Sequence, residues 1–203
     1  MRRAVEMIDA DALIIHLNPL QEALQARGDT RWSGLLARLE RVCTTLAVPV
    51  IVKEVGFGIS APVAQRLAGC GVAAIDVAGA GGTSWSAVEG HLATDPQQAA
   101  LAEIFRDWGL PTATALREVR AALPALPLIG SGGIRHGLDA AKALRLGASL
   151  VGQAGPLLRA AIEGVEPLMA HFAQLEQGLR LACFATGSAD LAALRRVRLL
   201  EDA

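Results

Sequence analysis

The sequence predicts an α/β protein built on a parallel sheet, and three observations predict it. Five short apolar segments recur along the 203 residues, at 12–15, 49–52, 74–77, 127–130 and 149–152. They are nearly continuous in apolar character, as parallel strands covered on both faces need to be. Helix-patterned stretches alternate with them, and no hairpin signal joins any two. In every unit the unusual residues cluster just after the strand. That end carries the ligands of a (β/α)8 barrel and of a doubly wound open sheet alike, and periodicity leaves both folds open.

The elements follow in order. After the first strand, a helix is expected over 32–46, before the second strand and its polar end at Lys53 and Glu54. A helix over 62–68 leads to the third strand and a glycine-rich segment at 78–84. Residues 84–98 read as a long loop with one short helix, a length that suggests a working loop. Helices at 112–123 and 137–146 flank the fourth strand. The second is the clearest: Ala140, Ala141 and Leu144 share one face, Asp139, Lys142 and Arg145 the other, and Gly147 supplies a left-handed stop. Helical pattern resumes over 156–178. The tail reads as helices at 166–181 and 190–200 joined at Thr186-Gly187-Ser188, with Arg195, Arg196 and Arg198 beside Leu191, Leu194 and Val197. Packing or subunit contact suits that basic amphipathic face better than ligand binding. The whole is expected to be one domain, with β/α units over 1–160 and C-terminal helices over 161–203.

Composition narrows the function. An apolar content of 52% with 19% charged residues is that of a folded chain, which excludes disorder. A net charge of -1 gives no electrostatic reason to expect nucleic acid or a membrane surface, so a small-molecule ligand is expected. Cys43, Cys70 and Cys183 lie far apart and indicate neither disulfides nor a zinc cluster, which fits a reducing cytoplasm. No apolar stretch reaches the roughly 18 residues that span a bilayer. Met1-Arg2-Arg3 leads into Glu6 and Asp9 rather than into an export signal.

Five segments carry the chemistry. Ser131-Gly132-Gly133-Ile134-Arg135 follows a strand and opens a helix, so its N–H groups suit a phosphate; alternatively it is a tight turn without a ligand. The next strand end, Gly152-Gln153-Ala154-Gly155, is also small and open, and paired small-residue loops after the last two strands are a barrel's phosphate grip. Lys53 ends a very apolar strand, where it would stabilise negative charge on a ring or enolate, or else pair with Glu54 at the surface. The glycine-rich segment through Thr83 and Trp85 would lie against a planar or allylic ligand, or be a free loop. His16, Asn18, Gln21 and Glu22 fall within seven residues; the carboxylate suits Mg2+, and His16 and Asn18 suit diphosphate oxygens, although a lone His beside a Pro turn is more often structural.

Taken in order, HLNPLQE (16–22), VIVKEVGFGIS (50–60), AIDVAGAGGTSW (74–85), FRDWGLPT (105–112) and SGGIRHGLDAAKALRLGA (131–148) resemble the type 2, FMN-dependent isopentenyl diphosphate isomerases over nearly all of residues 8–160. The resemblance implies a (β/α)8 TIM barrel that interconverts isopentenyl and dimethylallyl diphosphate in isoprenoid biosynthesis. It implies reduced FMN, Mg2+ and NADPH as the reductant of the flavin. Matched by position, Gln21 would sit at the substrate alkene and Glu22 would hold the metal, while His16 and Asn18 would contact the diphosphate. Lys53 and Thr83 would touch the flavin, Trp85 the substrate side of its ring, and Gly133, Ile134, Arg135, Ala154 and Gly155 the FMN phosphate.

One feature departs from that pattern. A barrel needs about 250 residues and eight strands, and only five strands are legible here. The chain is therefore expected to be partial: a truncated product, an incomplete sequence, or a piece that joins a separate N-terminal portion, with homo-oligomers as the family's habit. Other readings stay open. Another FMN barrel, such as a 2-hydroxy acid oxidase, needs an Arg and His pair, and Arg135-His136 is the only adjacent one. A nucleotide enzyme with a catalytic thiol finds no cysteine in the strand-end loops. A non-catalytic remnant is the last.

Overall fold

The computed structural model describes residues 1–200 of the chain. Its strands are β1 (Leu13–His16), β2 (Val50–Lys53), β3 (Ala74–Asp76), β4 (Leu128–Gly130) and β5 (Leu150–Val151), at the five places expected. Its helices are α1 (Arg2–Met7), α2 (Pro19–Leu24), α3 (Leu35–Thr45), α4 (Ala61–Gly69), α5 (Trp85–Leu92) and α6 (Pro96–Ile104), followed by α7 (Thr112–Ala122), α8 (Gly137–Arg145), α9 (Gly155–Glu163), α10 (Val165–Ala185) and α11 (Leu191–Leu194).

All strand pairs are parallel, and spatial order equals chain order, β1-β2-β3-β4-β5. A doubly wound sheet reverses its order at a switch point; this one does not, so it is wound in a single direction. Side chains alternate along each strand, and registered partners share a face. Val50 and Val52 of β2, Ile75 of β3 and Leu128 of β4 are buried against Leu39 of α3, Leu67 of α4, Leu116 and Val119 of α7 and Ala140 of α8. Each large side chain buried there contributes about 1.5–3 kcal/mol.

The strands were expected to be covered on both faces, and the described residues cover one. The opposite face pairs Ile14 with Ile51 and Ile129 with Leu150. Ile14 and Leu150, on the two edge strands, are 57% and 64% exposed. Continuous apolar strands with helices on one side only have the chemistry of a barrel wall, whose other face looks inward at other strands.

Three helical expectations need correction. The loop at 84–98 is α5 and part of α6. Ser84 caps α5 by accepting the Ala87 N–H at 3.3 Å, and Asp95 caps α6 by accepting that of Gln97 at 3.1 Å, with Pro96 opening the helix. The helices meet through small residues: Ser86 donates to the Ala102 carbonyl, and a Cβ on Gly90 would lie 3.2 Å from the Ala102 methyl. An interface of Gly, Ala and Ser leaves no large apolar stripe to read. The helical run over 156–178 breaks at Gly164, whose φ is 141°, into α9 and α10. In the tail, α11 stops at Leu194 instead of running to residue 200. Arg195 donates to the Ser149 carbonyl at 3.0 Å and Arg145 to that of Val197, which ties the tail to the base of β5. Residues 201–203, the end of the expected C-terminal region, lie outside the described residues.

Candidate functional site

The C-terminal ends of β2 to β5 open on one cavity of about 440 Å³. It is lined by Lys53, Thr83, Trp85, Gly133, Ile134, Arg135, Ala154 and Gly155 of the expected site, together with Asp76 and Ser131.

The loops after β3 and β4 meet backbone to backbone. Gly132 and Gly133 have φ of 92° and 77°, and a Cβ on them would stand 2.0 Å from the Gly79 oxygen and 2.7 Å from the Gly81 oxygen. Only glycine satisfies both the conformation and the contact. The Arg135 N–H is given to Asp139 at 3.0 Å and its guanidinium to the Gly81 carbonyl at 3.1 Å. Among the described residues, the N–H groups of Gly133, Ile134, Ala154 and Gly155 have no protein acceptor. The last two stand at the N-terminus of α9, where the helix dipole adds positive potential. Converging free N–H groups on two adjacent loops are what a phosphate dianion needs.

Lys53 lies beside them. A surface pair with Glu54 does not form: Glu54 is 5% exposed, and its Oε2 accepts the N–H groups of Val55, Gly56, Phe57 and Gly58 at 2.6, 2.7, 2.5 and 3.3 Å. The carboxylate folds its own loop, while the Lys53 ammonium donates to the Glu54 carbonyl at 2.7 Å and lines the cavity. Burial raises the Glu54 pKa and outweighs the lowering by those four bonds.

Asp76 was not expected in the site. It pairs with Lys53 in the β2–β3 register, is 8% exposed, and accepts from the Ser131 hydroxyl at 2.7 Å and the Ala78 N–H at 3.1 Å. Burial raises its pKa, against the lowering by those bonds and by the Lys53 charge. The charge inside an otherwise apolar strand was the signal available. Ala78, next along, has φ of 37° although it is not a glycine.

The segment after β1 forms a second polar cluster. Gln21 Nε2 and Gln25 Nε2 both donate to Glu89 Oε1 at 2.8 Å. Glu89 is one helical turn beyond Trp85 on α5, and Trp85 lines the cavity. Glu89 was not expected, because nothing in local pattern separates it from a solvated helix carboxylate. Asn18 gives its amide hydrogens to Glu22 Oε1 at 3.0 Å and Gln21 Oε1 at 3.4 Å, which leaves them turned to its own segment rather than outward. Glu22 Oε2 also accepts the Asp29 N–H at 2.8 Å. Gly28 permits that return, since a Cβ there would stand 1.8 Å from the Glu22 carbonyl oxygen. His16 ends β1 with an exposed side chain. No group of three or more His, Cys, Asp or Glu among the described residues could hold a metal alone. Glu22 therefore suits a hard cation only as one ligand beside water and ligand oxygens.

A singly wound α/β sheet with paired glycine-bearing loops and a lysine at its strand ends is an arrangement suited to a phosphate-bearing cofactor. Residues 17–201 match the FMN-dependent dehydrogenase family, and the chain belongs to it. It is 63% identical over 198 residues to the isopentenyl-diphosphate delta-isomerase of Xanthobacter autotrophicus, across 98% of this chain and 57% of that protein. To the protein of the same name in Stutzerimonas stutzeri it is 62% identical over 200 residues, across 98% of this chain and 58% of that one. The chain thus spans well under two thirds of the length of these curated relatives. In structure it is similar to a lactate oxidase of Pediococcus acidilactici, with a TM-score of 0.72 and 19% identity over 98% of this chain and 55% of that one. A mandelate oxidase gives 0.65 and 21% over 97% and 57%. At such identities the likeness is one of fold.

Proposed function

We propose that this chain carries the flavin and diphosphate ends of an isomerase that interconverts isopentenyl and dimethylallyl diphosphate, and that it works when further strands close its sheet into a barrel. The observation that carries the reading is the meeting of Lys53 and the free N–H groups of two glycine-bearing loops at one cavity, with the Gln21–Glu89 pair one helical turn along α5 from Trp85. The name of these relatives supplies the substrate.

The residues fit FMN: Gly133, Ile134, Ala154 and Gly155 N–H groups for its phosphate, Lys53 and Thr83 for its ring. Reduced FMN supplies an electron-rich ring able to exchange protons with an alkene. The isomerisation adds a proton at one end of the allylic system and removes one at the other, so no electrons are gained or lost. Glu89 accepts from the Gln21 amide and fixes its orientation, and Gln21 would sit at the substrate alkene once the site is closed. Glu22, held by Asn18 and the Asp29 N–H, would offer one oxygen to Mg2+, and His16 would lie near the diphosphate. Such remote anchoring positions a featureless C5 chain. NADPH as reductant, a cytoplasmic location and homo-oligomers belong to the same reading. No described helix is long and apolar enough to cross a membrane.

Oxidation of a 2-hydroxy acid, the reading that the solved neighbours suggest, is disfavoured by two contacts. Arg135 is turned to the Gly81 carbonyl, and His136 caps α8 by accepting the Asp139 N–H at 3.3 Å.

The test is FMN binding by the full chain, followed as quenching of flavin fluorescence, with Lys53→Met beside it. The expected result is saturable binding that weakens about tenfold in the variant, with activity appearing once the remaining strands of the Xanthobacter relative are supplied. Binding that Lys53→Met leaves unchanged, or a closed assembly that oxidises lactate and leaves isopentenyl diphosphate untouched, would overturn the reading.

A further inference from the structure

We propose that His171 of α10 is a positioning residue for the phosphate grip, acting through Gln153; this rests on the FMN reading above. The two loops that offer free N–H groups belong to different strands, and past the Gly152 N–H to Gly130 carbonyl bond at the strand ends, no backbone hydrogen bond among the described residues joins them. Gln153, in the loop after β5, joins them: its Nε2 donates to the Ile134 carbonyl, in the loop after β4, at 3.1 Å. With Nε2 so used, Oε1 is the acceptor, and His171 Nε2 lies 3.0 Å from it as the donor. The imidazole thereby selects the amide orientation that ties one loop to the other.

The helix that carries His171 has its own anchor. A Cβ on Gly137 would lie 2.3 Å from Leu179 N, and one on Gly178 would lie 3.1 Å from the Gly137 Cα, so α10 crosses the start of α8 in backbone contact. His171 is about two turns before Gly178 on the same face of α10. The crossing that sets α10 against the anion loop of β4 thus delivers the imidazole to the loop of β5. A site held by locked side chains behind it keeps its geometry without being reordered at each binding event. This assigns work to a helix outside the strand-helix repeat.

The brace should affect recognition of the phosphate and not of the ring. His171→Ala is expected to weaken FMN binding about tenfold, equivalent to about 1.4 kcal/mol, and to leave riboflavin, which lacks the phosphate, bound as before. His171→Gln, which keeps an N–H donor, should recover most of the loss, and Gln153→Leu should reproduce it. Equal loss of FMN and riboflavin, or no loss of FMN, would overturn the proposal. If the unaltered chain does not prefer FMN to riboflavin, the phosphate-grip reading itself fails. The brace is then decided on the ligand-free chain by amide exchange: faster exchange in His171→Ala confined to 132–135 and 152–155 supports it, and unchanged or uniformly faster exchange overturns it.

Discussion

Replacing Gly133 by Ala separates a conformational cost from a contact cost, because Gly34 supplies the control. Both glycines lie in the left-handed region, at φ of 77° and 70°. Holding an L-residue there costs about 1–2 kcal/mol, offset by about 0.4–1 kcal/mol from the smaller entropy of the unfolded chain. A net loss near 1 kcal/mol is therefore expected at both, a melting shift of about 2–4 °C in a domain of this size. Around Gly34 nothing lies within 4 Å of the added Cβ, so Gly34→Ala should show that shift and nothing more. At Gly133 the Cβ would stand 2.7 Å from the Gly81 oxygen and 2.8 Å from its carbonyl carbon, atoms of another loop's backbone that move only if the loop moves. Gly133→Ala should accordingly melt further below the parent and weaken FMN binding more than tenfold. Thermal melts and flavin-fluorescence titrations on both variants decide it. Parent-like flavin affinity in Gly133→Ala, or an equal loss in Gly34→Ala, would refute the account of the touching loops.

Asp76 predicts a pH dependence. Its folded pKa is raised by burial, so the unfolded chain ionises first as pH climbs past the ordinary carboxyl value of 3.8, and stability falls with rising pH. Urea melts of the parent and Asp76→Asn should show their difference moving in favour of the variant between acid and neutral pH; movement the other way sinks the argument. Arg120 donates to the carbonyls of Leu123, Pro124, Leu126 and Gly147, the last through both Nε and Nη2 at 3.0 and 2.6 Å. Arg120→Met should lower stability by about 2–3 kcal/mol and leave flavin affinity untouched, both readable from melts and titrations. Glu89→Ala frees the Gln21 amide; in a closed assembly it should cut isomerase turnover at least tenfold with FMN affinity unchanged, and undiminished turnover would detach Gln21 from the chemistry.

What could be read before folding follows from the range of each signal. A buried parallel strand is a local run of apolar residues, so all five were legible, and the glycines and hydroxyls behind them marked the end where a ligand belongs. The caps at Ser84 and Asp95-Pro96 were also local, yet only one short helix in a loop was read where α5 and α6 stand, because their contact is made by Ser86, Gly90 and Ala102, residues too small to form an apolar stripe. Lys53 was placed at the cavity, but the fate of Glu54 was not, since a carboxylate that folds back on its own loop has the same sequence as one that faces water.

The sequence by itself determined the repeated strand-helix units, the glycine-bearing loops behind the strands and the resemblance that names a cofactor. Tertiary structure alone decided the strand order that separates a barrel wall from a doubly wound sheet. It also decided the polar pairs of the site: Gln21 with Glu89, Ser131 with Asp76, and His171 with Gln153, which are 68, 55 and 18 residues apart. Periodicity and propensity report on neighbours a few residues away, whereas these contacts exist only once packed helices and registered strands have brought distant residues within about 3 Å, the reach of a hydrogen bond.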